Sequence, residues 1–410
     1  MAIILSDQEI RWLRLRAQRL YPKPAGPSQS VAEAVGALCA VQAQYPPAAA
    51  LALRPRASGF VAADVERARL RERSVMRTWC MRGTLHLLAT EDVSWLLALH
   101  GPVFAAAGRR RRRQVGLDDE SSAKGLEALG EILSGGKPKT RAEIACLLKR
   151  RDILTKGQAV YHLLRLAGLE RVVCFGPDLD GEPTYVLFED WVPSGSQARP
   201  EQPQAELARR YLSAHGPAGP DDLAAWSGLR KTSVRTAWNQ IEDDLIEVRT
   251  DTSSFSMLQS QLPWLKKTPP DDRVVHLLPA YDPYLLGYRK RELAVPARHA
   301  RRIHPGGGLL RPVMLVDGVA HATWKTQRMK DGLGLVVEPF EKLTEAVERA
   351  LEAEFADLER YLEVPDQATP RRPRLNPVST VPMRPSRTTS RPRPQPPEPL
   401  VSSRCRAGSG

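Results

Sequence analysis

One order of elements, helix, helix, strand, turn, strand, recurs along the sequence and is clearest between residues 140 and 188. The run KTRAEIACLLKRR opens with Thr140 and Glu143 at the spacing of a capping box, which predicts a helix beginning there. TKGQAVYHLLRLAGLE predicts a second amphipathic helix, ended by Gly168. RVVCF and TYVLF follow as two β-rich runs joined by the turn GPDLDGEP. This stretch, the second unit, has the order of a winged helix-turn-helix.

Two further copies of this order flank the second unit. The third unit, from residue 206 to about residue 258, contains AELARRYLSAHG, the short helix DDLAAWSG and the basic helix LRKTSVRTAWNQI, followed by LIEVRT and SFSML. The first unit, between residues 30 and 88, is looser: Ser30 and Glu33 form a capping box in SQSVAEAVGALCAVQ, and AADVERARLRER is a helix. Its runs SVMRTWCM and TLHLL flank the turn Arg82-Gly83. The sequence therefore predicts three tandem winged helices.

Beyond Arg273 the pattern changes to β-type runs separated by Gly, Pro and Asp, namely VVHLLPAYDPYLLGYRKRE, LLRPVMLVDGVAHATWKT and LGLVVEPF. KLTEAVERALEAEFADLERYLE closes this part as one amphipathic helix. A small β-rich barrel or sheet with a terminal helix is the simplest interpretation. The alternative is a degenerate fourth winged helix, against which the scarcity of helix before Phe340 argues.

The predicted fold class is therefore α+β, with three tandem winged helix-turn-helix units, a C-terminal β-rich, barrel-like domain and a terminal helix. Residues 366 to 410 hold nine Arg and ten Pro against one Asp and one Glu, a composition typical of a disordered basic tail. The predicted domains are 1–135 for the first unit with its flanking helices, 136–200 for the second, 201–270 for the third, 271–365 for the β-rich part and 366–410 for the tail.

The charge of the chain favours a polyanionic partner. It has 60 Lys and Arg against 47 Asp and Glu, a formal charge of +13, and nucleic acid is the commonest such partner; a merely basic soluble protein is the alternative. The five cysteines form no CxxC pair and no His cluster has zinc-ligand spacing, so we expect no disulfide framework, no metal and no cofactor. Without a run of about 18 apolar residues or a signal peptide, we expect a cytoplasmic protein that associates with the nucleoid when bound to DNA.

Basic residues on the recognition helices and wings are the candidates for contact with DNA, because a winged helix places its second helix in the major groove. They are Arg77 and Arg82 beside the first wing, Lys156 and Gln158 in the second unit, and Arg230, Lys231, Ser233 and Arg235 in the third. Each alone fits a solvated surface charge better, but together they favour a nucleic-acid surface. The run Arg109, Arg110, Arg111, Arg112 and Arg113 follows the apolar helix LLALHGPVFAAA, so phosphate contact and a solvated helix end are equally open.

Two amides stand close together where an apolar helix pattern ends. The pattern of ALCAVQ runs into Gln42-Ala43-Gln44 and stops at Pro46-Pro47. From these residues alone, the pair is either a functional site or an ordinary helix cap.

Four segments in register resemble the AlkZ-like family of bacterial DNA glycosylases. They are VQAQYPPAAALALRPR, RTWCMRGTLHLLATED, the second unit from TRAEIACLL to PTYVLFEDWVP, and LLPAYDPYLLGYRKRE with DGVAHATWKT. The resemblance covers roughly residues 5 to 362 and implies a monomer whose three winged helices and C-terminal β domain curve into a basic channel for duplex DNA. The family's catalytic signature is Gln, an apolar residue, then Gln or Asp, and Gln42-Ala43-Gln44 matches the branch that ends in Gln.

That branch is similar to enzymes that unhook interstrand crosslinks and remove bulky N7-alkylated purines. A guanine alkylated at N7 is cationic and leaves as a neutral base, so the enzyme needs no general acid and has to hold a water beside the developing oxocarbenium sugar. A glutamine is not basic at neutral pH, but its carbonyl can accept a hydrogen bond from that water and aim it. The resemblance thus assigns water positioning to Gln42 and Gln44.

The sequence also bears on the reaction product and on alternative functions. Because no lysine stands out as a Schiff-base nucleophile, we expect a monofunctional glycosylase that leaves an abasic site. A winged-helix transcriptional regulator is the main alternative, although such regulators usually dimerise on a palindrome and no dimer helix is evident. A DNA-lesion-binding protein without catalysis is a third.

Several lesser residues have two interpretations each. His86 in GTLHLL is expected either to contact DNA near the lesion or to be a buried, hydrogen-bonded strand residue. The segment YDPYLLGYRKR is similar to a marked family segment, and its polar residues could line the channel; a tight Asp-Pro turn with aromatic packing is favoured for Asp282. The channel candidates in this segment are Tyr284, Tyr288, Arg289, Lys290 and Arg291. Trp324 is expected to pack in the β domain.

Overall fold

The computed structural model describes residues 2–22, 30–192, 197–266, 269, 271–329, 332–363 and 373–377, and these form a mixed α+β fold. The described residues before the first unit form β1 (Ile3–Ile4) and α1 (Asp7–Ala17). Ser6 begins α1 with a capping box to Glu9. Local capping signals of this kind begin several helices of the chain.

The first unit keeps the predicted helices and strands in order and adds a short strand and a third helix between the two predicted helices. Ser30 and Glu33 form the expected capping box. Its elements are α2 (Val31–Ala37), β2 (Val41–Gln42), α3 (Pro46–Leu53), α4 (Ala62–Leu70), β3 (Val75–Trp79) and β4 (Leu85–Ala89). The antiparallel sheet has the order β2-β4-β3. The prediction that a helix runs into Gln42 is wrong, because α2 ends at Ala37 and the double proline begins α3 instead of ending a helix.

Two long helices, α5 (Val93–Gln114) and α6 (Asp119–Leu133), connect the first unit to the second. The second unit contains β5 (Lys139–Thr140), α7 (Arg141–Lys149), α8 (Ala159–Leu169), β6 (Val173–Phe175), β7 (Thr184–Leu187) and the short α9 (Phe188–Trp191). Its sheet has the order β5-β7-β6. Gly168 does not end α8 as predicted; it lies inside the helix, where a Cβ atom would come within 2.4 Å of the Trp79 ring.

The third unit includes residues from the start of the chain. It contains α10 (Pro203–His215), α11 (Pro220–Ser227), α12 (Lys231–Asn239), β8 (Leu245–Arg249) and β9 (Ser254–Leu258). The strand β1 pairs in parallel with β8, with Ile3 opposite Val248, so the sheet order is β1-β8-β9. The first residues, predicted to belong with the first unit, therefore pair with the third.

The C-terminal part is an open five-stranded sheet with a helix against it. Its elements are β10 (Val275–Leu278), α13 (Pro283–Leu286), α14 (Ala300–Ile303), β11 (Val313–Val316), β12 (Val319–Met329), β13 (Gly332–Pro339), α15 (Glu345–Tyr361) and β14 (Arg374–Leu375). Across the described residues the order is β10-β11-β12-β13-β14, and β10 does not pair with β14, so the expected barrel-like closure is not seen. Trp324 packs here as predicted, buried and donating from Nε1 to the carbonyl of Leu278 at 2.9 Å.

The strand β14 falls within the segment that was predicted to be disordered. Arg374 and Leu375 pair in parallel with Val336 and Val337. For the rest of the predicted tail, residues 366–372 and 378–410, the expectation lies outside the described residues.

The units share their hydrophobic cores. Leu96 and Cys80 from the first part of the chain cluster with Tyr211 and Trp226 of the third unit. A second cluster joins Trp79 of β3, Leu85 of β4 and Phe104 of α5 to the second unit, with Trp79 against Phe175. Within the described part of the chain, no helix is both long and apolar enough to span a bilayer.

Candidate active site

Gln42 ends β2, and Gln44 lies in the bend that leads to α3. Backbone hydrogen bonds hold Ala43 between them: its N–H donates to the carbonyl of Leu85 at 2.7 Å, and its carbonyl accepts from Nε of Arg77 at 3.1 Å. Ala43 is 2% exposed and belongs to the core, whereas the residues on either side of it are more open to solvent. Gln42 is half-buried and Gln44 is exposed. The pair is therefore part of a strand and its exit, and the helix-cap alternative is wrong.

Arg82 fixes the side chain of Gln42. It lies in the turn between β3 and β4, with φ 55° and ψ 11°, a left-handed conformation that is uncommon for a residue other than glycine. Its Nη2 donates to Oε1 of Gln42 at 2.7 Å, and its Nη1 donates to the carbonyl of Trp226 in the third unit. Burial lowers the pKa of Arg82 to about 10, so the guanidinium remains a cation at neutral pH. The Gln42 carboxamide is thus held by a charged donor.

The third unit closes tightly over this turn. Gly228 follows α11 with φ 76°, and a Cβ atom there would lie 3.1 Å from Cα of Arg82 and 2.9 Å from the ring of Phe104. Arg165 of α8 donates from Nε to the carbonyl of Gly83 at 3.2 Å. The turn that carries Arg82 is therefore braced by the second and third units together.

Two neutral histidines lie beneath the motif. His86 is directly opposite Gln42 in the sheet, 2% exposed, with Nδ1 3.1 Å from the carbonyl of Thr84. Burial, and then the charge of Arg82, lower the pKa of His86 well below its usual value. Burial likewise lowers the pKa of His100 on α5 to about 4, and its Nδ1 lies 2.8 Å from the carbonyl of Leu96. Of the two interpretations of His86, the buried, hydrogen-bonded strand residue is confirmed.

Comparison with known proteins decides the family. The model of the family described as DNA glycosylase AlkZ-like matches residues 35–361. This chain belongs to the AlkZ-like DNA glycosylases. It is 29% identical over 371 residues to the interstrand DNA cross-link repair glycosylase of Streptomyces sahachiroi, which covers 86% of this chain and 95% of that protein. The solved structure of Streptomyces sahachiroi DNA glycosylase AlkZ superposes with a TM-score of 0.76 and 26% identity, over 91% of this chain and all of that one.

The resemblance deduced from the sequence is therefore confirmed, and the protein is an enzyme, a hydrolase that acts on N-glycosyl bonds of DNA. The transcriptional regulator considered as an alternative is not supported. Among the described residues, no group of three or more His, Cys, Asp or Glu could hold a metal ion.

Besides His86 and Arg112, three candidates for DNA contact in this AlkZ-like glycosylase have buried side chains, which corrects those predictions. Arg77 is 8% exposed, and its guanidinium stacks 4.5 Å from the centre of the Phe175 ring while it holds Ala43. Tyr284 is 1% exposed and donates to the carbonyl of Gly318, and Tyr288 donates to that of His215. Arg77 therefore positions the motif, and the two tyrosines pack the C-terminal part.

The arginine run of the glycosylase divides into different roles. Arg109 and Arg113 are exposed and share the carboxylate of Asp119, and Arg111 donates to Oε1 of Gln158 at 2.9 Å. Arg112 is buried and donates to the carbonyl of Ala105, so it fits neither of the two alternatives for the run, phosphate contact or a solvated helix end. Arg110 is exposed.

Most of the other basic candidates are exposed, and two of them share one carboxylate. Lys231 of α12 and Arg289 of the C-terminal part both pair with Asp221, at 2.9 and 2.6 Å. Exposed as well are Lys156, Arg230, Arg235 and Lys290. Ser233 and Arg291 are half-buried, and Arg291 donates to the carbonyl of Leu285. The contact of the exposed cations with DNA stays a prediction.

Sequence reasoning placed Arg82 in the first wing but missed its contact with Gln42. Arg82 follows Gln42 by 40 residues, and only the pairing of β2 with β4 brings them together. The signal that could have been used is the turn itself, since a non-glycine residue in a tight strand connection often has a functional role.

Proposed function

We propose that this DNA glycosylase hydrolyses the N-glycosidic bond of N7-alkylated purines, including bulky adducts and interstrand crosslinks, with a water positioned by Gln42 and Gln44. The observation that carries the proposal is the glutamine pair on either side of Ala43, whose backbone N–H and carbonyl are both hydrogen bonded, with Gln44 exposed. The relative from Streptomyces sahachiroi is named for interstrand crosslink repair, which supports the same substrate class.

The chemistry around the pair suits a cationic leaving group. The side chains that hydrogen bond to the motif, within the described ranges, are those of Arg77 and Arg82, and neither is a useful acid at neutral pH. The nearby histidines, His86 and His100, are neutral for the reasons given above. Such a site gives little acid–base help, so it favours lesions whose glycosidic bond is already weakened by positive charge.

We further propose that the three units are winged helices that hold duplex DNA as a monomer, and that the product is an abasic site. The order of helices and strands in each unit supports the winged-helix interpretation. The exposed cations Arg110, Arg111, Arg230, Arg235 and Lys290 would neutralise phosphates. An open channel also suits a crosslink, which cannot be flipped into a deep pocket as a single base can.

Base release from two duplexes tests the proposal, one with N7-methylguanine and one with a nitrogen-mustard crosslink. Gln42→Ala and Gln44→Ala should each slow single-turnover release by about 100-fold, because the water loses its alignment, while DNA affinity by fluorescence anisotropy is retained. Gln8→Ala, an exposed glutamine of α1, is the matched control and should release base as the wild type does. Wild-type rates in both motif variants would refute the assigned mechanism, and no release by the wild type would favour a lesion-binding protein without catalysis.

A further inference from the structure

The contact between Arg82 and Gln42 determines which end of the Gln42 carboxamide is free for other hydrogen bonds. A guanidinium has donors and no acceptor, so it can pair only with Oε1 of the amide. Rotating the amide by half a turn would set its NH₂ group against the N–H groups of Arg82 and lose a charge-assisted hydrogen bond of 2.7 Å. The oxygen therefore stays with Arg82, and the NH₂ group is the end left to face outward.

Arg82 is itself held in place by contacts that do not involve Gln42. Its second Nη donates to the carbonyl of Trp226, and its backbone lies in a left-handed turn against Gly228. Arg165 braces the next residue of that turn through the carbonyl of Gly83. A donor fixed from three sides is suited to orient a flexible side chain.

We propose that Arg82 is a positioning residue that acts through Gln42, and that the two glutamines have different roles. Gln42 presents a hydrogen-bond donor to an oxygen of the bound DNA or of the attacking water. Gln44 is exposed and has no hydrogen-bond partner among the described residues, so its carbonyl is the acceptor that aims the water. This inference rests on the proposed function and refines it, since it gives the two glutamines different hydrogen-bonding roles at the same site.

A double-mutant cycle tests whether Arg82 acts through Gln42. Arg82→Met should slow single-turnover base release at saturating enzyme by about 10-fold or more, because the Gln42 amide loses its orientation, and Arg82→Lys should recover part of that loss. In the Gln42→Ala background the same Arg82→Met change should have no further effect. Equal losses in both backgrounds would overturn the inference.

Arg165→Met is the matched control for the cycle, because it removes a contact with the same turn but none with Gln42. Its effect on base release, whatever its size, should be the same in the wild-type background and in the Gln42→Ala background. A loss that disappears in the Gln42→Ala background would mean that the turn as a whole, and not the Arg82 hydrogen bond, supports the glutamine.

A second measurement is independent of activity, so failure of the proposed function would not affect it. In protein labelled with ¹⁵N-glutamine, the side-chain NH₂ signals of Gln42 are assigned by their loss in Gln42→Ala. Arg82→Met should shift these signals and Arg165→Met should leave them in place. Unchanged Gln42 signals in Arg82→Met would refute the positioning role even if the wild type released base from both duplexes.

Discussion

Arg110 and Arg112 stand two residues apart in one basic run, yet their surroundings are opposite. Arg110 is exposed on α5, whereas Arg112 is buried and satisfies the carbonyl of Ala105. The sequence predicted phosphate contact or solvation for the whole run, because composition does not show which side of a helix is covered. The side that α8 covers is determined by tertiary packing, which a run of identical residues cannot reveal.

This difference predicts distinct effects on DNA binding. Arg110→Gln should reduce the slope of log affinity against log salt by about 0.9, the value for one lost phosphate contact. Arg112→Gln should leave the slope unchanged and lower the free energy of unfolding by about 1–3 kcal/mol, because a buried side-chain hydrogen bond and the packing of the arginine stem are lost. Fluorescence anisotropy on a plain duplex over a salt series measures the slopes. An unchanged slope in Arg110→Gln would support the solvated helix end.

At the scale of elements, helices with local start signals were predictable and two-residue strands were not. The capping boxes at Ser30 and Thr140 are confirmed as helix starts. Their hydrogen bonds form within four consecutive residues, so the sequence alone is enough to predict them. The strands β1, β2 and β14 exist because a distant strand pairs with them, as Ile3 does with Val248. The motif Gln42-Ala43-Gln44 was found through its family register, and its strand conformation could not be read from its own residues.

Gly168 shows how tertiary contact overrides helix propensity. In Gly168→Ala a Cβ atom would lie 2.4 Å from the buried Trp79 ring, so we expect a loss of about 1–3 kcal/mol in unfolding free energy from overpacking. Gly130→Ala on α6 is the matched control, because nothing lies within 4 Å of its Cβ position, and it should gain up to about 1 kcal/mol from helix propensity. Urea unfolding gives both values. A stabilised Gly168→Ala would show that α8 can move away from Trp79.

At the scale of the whole molecule, a buried polar network ties together parts that the sequence assigned to separate domains. Arg56, which follows α3, donates to both carboxylate oxygens of Asp282 at 2.9 and 2.6 Å and to Oε1 of Gln18 at 3.1 Å. Gln18 donates to the carbonyl of Ala214 and contacts Nδ1 of His215. Arg56, Asp282, Gln18 and His215 are fully buried. The predicted boundaries thus separate stretches of sequence whose side chains meet in one interior.

No pattern within the sequence could predict this network, because its members come from the end of α1, the end of α3, the end of α10 and the start of α13. The interpretation of Asp282 as a turn residue is confirmed, since its side chain accepts from the N–H of Tyr284 at 2.9 Å. Its second role, as counter-ion to Arg56, depends on burial that only the assembled units create.

The two roles of Asp282 can be separated by one substitution. Asn accepts the hydrogen bond at a helix start as well as Asp does, so Asp282→Asn keeps the turn and removes the negative charge. Arg56 then remains as a buried cation without a counter-ion, for which we expect an unfolding free energy lower by about 3–5 kcal/mol. Because α3 connects Gln44 to Arg56, the rate of base release by Asp282→Asn should also fall at temperatures where the wild type remains active.

Two further variants decide whether the buried charge is the cause. Glu341→Gln breaks the exposed pair with Arg298, whose side chains are 69% and 61% exposed, and should cost less than about 1 kcal/mol. Arg56→Met in the Asp282→Asn background removes the unpaired cation and should recover part of the lost stability, measured by urea unfolding for all variants. If the unpaired charge of Arg56 causes the loss, its removal should restore stability. Equal losses in Asp282→Asn and Glu341→Gln, or no recovery in the double variant, would mean that packing and not charge stabilises the contact between the units.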